Sequence, residues 1–122
     1  MKIKKTFVAK IAVGFREGYT KKVHTLDEAY VICDNYCRNN NLCITVTPTR
    51  FIYTPGVGIP DGWEDGCFIE LINYPRFPTS RYDIVYQAID LAKVFIKKFN
   101  QNRVSIITSD QTYMVERDDI KE

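Results

Sequence analysis

The segment NYPRFPTSR, residues 73–81, combines side chains that suit a nucleotide ligand. It contains an amide, two aromatic rings, two prolines and two arginines. Because proline restricts φ and stiffens a connection, we expect Arg76 and Phe77 to be held in position. A guanidinium can bind phosphate with parallel N–H donors, and an aromatic ring can stack on a base. The same Arg-Phe pair also occurs as ordinary packing, so the segment alone leaves both interpretations open.

Side chains that commonly perform catalysis are few and scattered along this chain. His24 is the single histidine and directly precedes a helix start, which favours a structural role over that of a general base. Glu70 lies in a strand-like segment with apolar neighbours, where a carboxylate is either buried and paired or turned to solvent. No Ser-His-Asp or Cys-His pattern is recognisable in the sequence. We therefore expect a protein that is not an enzyme and has no catalytic residues.

Two further nucleotide-related patterns do not fit their positions. The segment GVGIPDG, residues 56–62, is similar to a phosphate-binding glycine loop, but such a loop opens a helix, whereas these glycines join two strands. We interpret them as turn residues within a loop at 55–66. The aromatic run of RNA-recognition modules is absent, and 17 basic against 15 acidic residues give a net charge of only +2. A DNA or RNA polymer is thus not expected as a partner, and a small anionic ligand is compatible.

Length and composition indicate one ordinary globular domain. The chain has 122 residues, of which 45% are hydrophobic and 26% charged, and we assign all of 1–122 to a single ligand-binding domain. No run approaches the roughly 18 apolar residues of a membrane span, and Lys10 interrupts the apolar N-terminal stretch that would otherwise suggest a signal peptide. We expect a cytoplasmic protein with no membrane partner.

The four cysteines, at positions 33, 37, 43 and 67, do not form a metal-binding pattern. No C-x-x-C pair is present, and one histidine cannot complete a zinc site. Cys33 and Cys37 lie one helical turn apart on an apolar face, where a thiol behaves as a small hydrophobic side chain. We therefore expect reduced thiols, no metal and no cofactor.

Hydrophobic periodicity and capping signals predict seven elements. Thr25 and Glu28 have the spacing of a capping box, Ser80 is typical of a helix N-cap, and Pro48 suggests an edge strand, a bulge or a bend. The predicted elements are, in chain order, a strand at 6–15, a helix from Thr25 to the asparagines at 39–41, strands at 42–53 and 67–74, a helix from Ser80 to Phe99, and strands at 103–108 and 113–116.

The order β-α-β-β-α-β predicts an α+β fold of the ferredoxin-like, split β-α-β type. Its antiparallel sheet would carry both helices on one face. The candidates for the uncovered face are Phe51 or Tyr53, Phe68, Ile72 and Ile107. Because a contiguous apolar surface requires cover, we infer a homo-oligomer.

Four segments carry a resemblance to a known family: FVAKIAVGFREGY, VTPTRFIY, LINYPRFP and FNQNRVSIIT. Together they resemble the phage Thoeris anti-defence sponges of the type 1 anti-defence family. These small proteins bind cyclic ADP-ribose isomers, which TIR-domain defence enzymes make as signals, and sequester them without degrading them. Some members also hold cyclic oligonucleotides at a separate site. The resemblance covers nearly the whole chain.

The resemblance implies a set of ligand-binding residues. Phe77 matches the aromatic platform for adenine, and Arg50 and Arg103 match the arginines that bind the pyrophosphate. Gln87 lies where the family has an amide on a helix, although the family residue is asparagine. Asn73 and Arg76 are further candidates for lining the pocket.

The function implied by the resemblance is binding of a signal molecule rather than turnover. The chain would act in the cytoplasm of an infected bacterial host and block Thoeris immunity by holding a cyclic ADP-ribose isomer, with cyclic oligonucleotides as a second ligand class. Two alternatives stay open. The first is a small enzyme that acts on nucleotides through Glu70 or His24, and the second is an oligomeric interaction module that binds no nucleotide.

Overall fold

A computed structural model describes residues 1–18, 20–54 and 62–119 of the chain. Their elements are β1 Val8–Gly14, α1 Leu26–Asn40, β2 Ile44–Ile52, β3 Trp63–Ile72, α2 Arg81–Lys98, β4 Arg103–Thr108 and β5 Thr112–Glu116. The predicted order is confirmed. The largest difference is that β3 begins at Trp63, four residues before the predicted start, because Ile52 pairs with Trp63 and extends the ladder. Most of the predicted loop, residues 55–61, lies outside the described residues, as does most of the glycine segment.

The described strands form one sheet in the order β2-β3-β1-β4-β5, and every neighbouring pair is antiparallel. The order of the first four strands is that of the ferredoxin-like fold, which confirms the predicted α+β class. β5 extends the sheet at the edge beside β4, as expected. Pro48 lies in β2, which is the opposite edge strand, where a missing N–H donor is tolerated.

Both helices cover the same face of this sheet. The strand residues that point toward them alternate with residues of the other face, as a sheet buried on one side requires. The buried strand residues are Ala9, Ile11 and Val13 in β1, Cys67, Ile69 and Leu71 in β3, and Val104 and Ile106 in β4. They share one core with Ala29 and Cys33 of α1 and with Leu91 and Phe95 of α2. The second face of the sheet carries no helix of the described chain.

Side-chain caps begin both helices. The Thr25 hydroxyl accepts a hydrogen bond from the Glu28 N–H at 3.2 Å, and the Glu28 carboxylate accepts one from the Thr25 N–H at 3.4 Å. The predicted capping box is therefore formed. α1 ends at Asn41, which takes the left-handed conformation with φ of 50°. Ser80 caps α2 by accepting from the Asp83 N–H at 3.1 Å.

The four cysteines are unpaired, and two of them belong to the core. Burial raises the pKa of the Cys33 and Cys67 thiols to about 12, so both stay protonated at neutral pH. They pack as small apolar side chains, as expected for Cys33. Among the described helices, none is both long enough and apolar enough to cross a membrane.

The capping box makes a measurable contribution to stability. We expect Thr25→Ala to lower the free energy of unfolding by about 1 kcal/mol, because the Glu28 N–H loses its acceptor. Asn39→Ala, at an exposed position in the last turn of α1, is the matched control and should change stability by less than about 0.5 kcal/mol. Urea unfolding followed by circular dichroism measures both. Equal effects of the two substitutions would contradict the role of the cap.

Candidate functional site

Polar and aromatic side chains occupy the sheet face that the helices leave uncovered. Along β3 this face carries, at every second residue, Glu64, Gly66, Phe68 and Glu70, which alternate with the buried Cys67, Ile69 and Leu71. Carboxylates are common on the solvated face of such a sheet, whereas a buried carboxylate is unusual.

Glu64 is the most deeply buried carboxylate of the described chain, with 8% of its surface exposed. Its Oε2 accepts a hydrogen bond from the Arg16 backbone N–H at 3.2 Å, and its Oε1 accepts one from the Tyr53 hydroxyl at 2.8 Å. A buried charge is tolerated only with such partners. A carboxylate has about four acceptor positions, so Glu64 can accept further hydrogen bonds from a ligand.

Two glycines permit close contacts at this point: Gly14 makes room for the Glu64 carboxylate, and Gly66 lets β3 approach β1. Gly14 in β1 and Gly66 in β3 pair directly across the ladder. A Cβ atom on Gly14 would overlap the Glu64 carboxylate, and a Cβ atom on Gly66 would overlap the Val13 carbonyl. The Glu64 side chain therefore lies across β1 at a point where any larger residue would displace it.

Tyr53, the side-chain partner of Glu64 directly after β2, is held in its neutral form. Burial, followed by the hydrogen bond to Glu64, raises the pKa of the Tyr53 hydroxyl above its ordinary value. Tyr53 thus remains a hydrogen-bond donor at neutral pH.

Aromatic rings lie beside this pair. Phe51 and Phe68 pack edge to face with their centroids 5.4 Å apart, and the Lys10 ammonium lies 4.9 Å from the centre of the Phe68 ring. Glu64, Tyr53, Phe51 and Phe68 are called the Glu64 cluster below. A carboxylate next to aromatic faces suits a cation, and an aromatic face also suits a nucleobase.

A second charged pair lies farther along the same face. Lys10 and Glu70 form an ion pair of 3.3 Å across β1 and β3. Glu70 is six residues from Glu64 along β3, which corresponds to roughly 20 Å. Phe68 lies between them, so the face can contact an extended ligand with separate charged groups.

One of the predicted arginines lies on the open face and the other does not. Arg103 pairs with Glu116 across β4 and β5, with Nε and Oε2 3.5 Å apart, and its strand register places it on the open face. Arg50 has the opposite register: it forms an ion pair of 2.9 Å with Asp65 and stacks at 4.0 Å on Trp63. Three strand steps, roughly 14 Å, separate β2 from β4, so one subunit does not bring these arginines together.

The other predicted residues lie at the end of β3 and on α2. The Arg76 guanidinium is 6.0 Å from the centre of the Phe77 ring, and both belong to the loop after β3. Asn73 donates to the Lys5 carbonyl and accepts from the Phe7 N–H, each at 2.7 Å, so its amide holds the N-terminal segment. Gln87 is half-buried on α2, on the helical side of the sheet. The predicted residues therefore do not form one cluster.

His24 has the structural position expected from its sequence context. Its ring stacks on Phe99 with centroids 4.3 Å apart, and its nitrogens lie 2.7 Å from Glu28 and 3.2 Å from Glu17. Phe99 belongs to the core under the helices, so His24 is on the side of the sheet opposite to the Glu64 cluster.

Sequence reasoning missed Glu64 because its position was placed in a glycine-rich loop. Extending the alternation of β3 backward from Cys67 would have placed Glu64, Gly66, Phe68 and Glu70 on one face. Tyr53 was a candidate for that face, but its partner could not be found without the pairing of β2 with β3.

Comparison with known proteins identifies a shared fold. No family model matches the sequence, and no curated protein matches it. The structure is similar to that of a phage SAM lyase without ligand, with a TM-score of 0.74, 18% sequence identity and coverage of 94% of this chain and 92% of that chain. It is also similar to a phage SAM lyase in complex with S-methyl-5′-thioadenosine, with a TM-score of 0.72, 20% identity and coverage of 95% and 93%.

This finding corrects one prediction and limits another. The expectation that the chain is not an enzyme is wrong, because the solved structures that share its fold are those of a lyase. The prediction depended on the absence of a catalytic histidine or triad from the sequence. The open face carries carboxylates, a tyrosine and phenylalanines, so it does not match either pattern. The matched structures are phage proteins, as are the sponges that the sequence resembles, but they do not bear on Thoeris signals.

The two glycines at the centre of the site differ in what an added methyl group would meet. We expect Gly66→Ala to destabilise the protein by about 3 kcal/mol, because the Val13 backbone cannot yield, and Gly14→Ala by about 1 kcal/mol, because the Glu64 side chain can turn away. Urea unfolding measures both values. A larger loss for Gly14→Ala than for Gly66→Ala would contradict the close approach described here.

Proposed function

We propose that this protein is a lyase that cleaves S-adenosylmethionine (SAM) and releases S-methyl-5′-thioadenosine. The observation that carries the proposal is the match, over 95% of the chain, to a phage SAM lyase in complex with that thioether. S-methyl-5′-thioadenosine is what remains of SAM when the bond between its sulfonium sulfur and its methionyl γ-carbon breaks. The proposed site is the open sheet face around the Glu64 cluster.

The residues of this face suit the parts of SAM. Phe51 and Phe68 offer aromatic surface for the adenine and for the sulfonium cation. Glu64 has acceptor positions left for ribose hydroxyls or an ammonium group. Lys10 and Glu70, already paired, can exchange partners with the carboxylate and ammonium of the methionyl group.

The cleavage that best fits this face needs no base. The substrate carboxylate attacks its own γ-carbon, the carbon–sulfur bond breaks, and the electron pair of that bond stays on sulfur. The products are the neutral thioether and a five-membered α-amino lactone, and no water, proton or redox partner is consumed. Such a reaction depends on holding the substrate in a folded conformation and on excluding water. Its demands agree with a face whose residues bind and orient the substrate.

We also propose that a second copy of the chain covers this face, in the cytoplasm of a phage-infected host. The face is open in the single chain, and Ile107 and Met114 on it are 41% and 56% exposed. A site that excludes water needs cover, and the protein's own helices lie on the other side of the sheet.

A second candidate ligand is a cyclic ADP-ribose isomer, with cyclic oligonucleotides in the same class. Its support is Arg103, which lies on the open face and could leave Glu116 to bind a pyrophosphate. This candidate would link the protein to inhibition of Thoeris immunity, as the sequence resemblance implies.

Product analysis tests the lyase directly. We expect purified protein to convert SAM into S-methyl-5′-thioadenosine and the amino lactone, separated by chromatography. Glu64→Gln should lower kcat/KM by about 10- to 100-fold, because the substrate loses a carboxylate acceptor for its hydrogen-bond donor. Asp34→Asn, which removes an exposed, ion-paired carboxylate on α1, is the matched control and should leave kcat/KM unchanged. If SAM stays intact with the wild-type protein, the proposal fails. If the second product is vinylglycine and not the lactone, the carbon–sulfur bond is broken by elimination, and the proposed displacement step is wrong.

Calorimetry tests the second candidate. If cyclic ADP-ribose isomers bind at this face, Arg103→Ala should weaken binding by about 10-fold, since it removes a phosphate pair. Arg38→Ala, which removes an exposed arginine of α1, serves as the control. If none of the isomers gives binding heat, cyclic ADP-ribose is excluded as a ligand of this protein.

A further inference from the structure

The buried polar residues of the described chain form one continuous line. Three polar or charged residues are buried within residues 1–18, 20–54 and 62–119: Arg16, Glu64 and Gln101. The Gln101 side-chain amide donates to the Arg16 carbonyl at 2.7 Å, and the Arg16 N–H donates to Glu64 at 3.2 Å. The line ends at Tyr53, whose hydroxyl donates to the same carboxylate. It runs from the end of α2 to the open face of the sheet.

Gln101 is itself fixed by its surroundings. Its backbone N–H donates to the Ile96 carbonyl at 3.0 Å, and its side-chain amide is also 3.4 Å from the Phe99 carbonyl. With 7% exposure, the side chain has little freedom to choose another partner. Burial of an amide is unfavourable unless its donors are used, so the contact with Arg16 fixes the direction of the Gln101 side chain.

The backbone around Arg16 is held from several sides. The Phe15 carbonyl accepts from the His24 N–H at 2.7 Å, and the Phe15 N–H donates to the Asp65 carbonyl at 2.9 Å. The Phe15 carbonyl and the Arg16 N–H belong to one planar peptide unit, so the first contact sets the direction of that N–H. The next peptide unit is held at both its polar groups, because Gln101 donates to the Arg16 carbonyl and the Glu17 N–H donates to the Lys22 carbonyl at 2.8 Å. Residue 16 is then fixed on both sides, and its N–H points at Glu64.

We propose that Gln101 is a positioning residue for the Glu64 carboxylate and acts through the Arg16 backbone. The proposal rests on the function proposed above, in which Glu64 binds the substrate. Gln101 lies on the opposite end of the line from the ligand and does not touch it. Loss of its donor would leave the buried Arg16 carbonyl without its side-chain partner and would loosen residue 16, so the Arg16 N–H would be held less firmly against the Glu64 carboxylate.

The test is the nearly isosteric variant Gln101→Met, which removes the donor. We expect the Arg16 amide to exchange its hydrogen about tenfold faster in NMR, and kcat for S-methyl-5′-thioadenosine formation to fall about tenfold with a smaller change in KM. Gln111→Met is the control, because Gln111 is exposed and its side-chain oxygen accepts a hydrogen bond from the Tyr113 hydroxyl, away from the Glu64 cluster. An unchanged Arg16 exchange rate in Gln101→Met would overturn the proposal.

A double mutant separates positioning from a general loss of stability. If Gln101 acts through Glu64, Gln101→Met should have little further effect on kcat/KM in a Glu64→Gln background. Fully additive effects would overturn the proposal. Should the wild-type protein form no S-methyl-5′-thioadenosine, the proposed lyase function fails, and the exchange rate of the Arg16 amide still decides the role of Gln101.

A second variant guards against loss of folding in Gln101→Met. Gln101→Glu keeps the size of the side chain, and only its protonated carboxyl can donate to the Arg16 carbonyl. Its rate of product formation, relative to wild type at the same pH, should rise as the pH falls. A relative rate that does not change with pH would overturn the proposal.

Discussion

The close approach of β1 and β3 at Gly14 and Gly66 is the constraint on which the site depends. These two residues pair across the ladder: the missing side chain of Gly66 lets the strands approach closely, and that of Gly14 lets the Glu64 carboxylate lie across the neighbouring strand. There it meets the Arg16 N–H and the Tyr53 hydroxyl. A carboxylate can be buried on an otherwise open sheet face only because both partners are supplied by residues just beyond the ends of β1 and β2, strands that the sheet already holds.

The division of the sheet into a packed face and an open face explains how so small a chain can carry a site. Both helices bury the same set of strand residues, and this core supplies rigidity. The other face is then available for binding. His24, the single histidine, belongs to the packed side, so the described open face offers burial, charge and aromatic surface but no imidazole. The proposed cleavage of a sulfonium is compatible with this, because its leaving group departs as a neutral thioether.

The sequence resemblance and the strand order lead to different roles for Arg50 and Arg103. The resemblance implies that Arg50 and Arg103 grip one ligand, whereas the sheet order places their strands three steps apart and their register places them on opposite faces. In a single chain each already has an acidic partner. A ligand that contacts both would have to lie between subunits. The Glu64 cluster requires no such arrangement, since its members meet within one chain.

Local patterns in the sequence were sufficient to determine the elements, their order and the capping box at Thr25, because these depend on periodicity and on neighbours a few residues apart. For Pro48 they left an edge strand, a bulge and a bend open, and the sheet order decided for the edge strand. The ferredoxin-like class followed from that order. The site did not, since Glu64, Tyr53 and Arg16 are brought together by hydrogen bonds spanning up to 48 residues. Only the strand register decides which side chains share a face, and a shift of one residue would have turned Glu64 into the core.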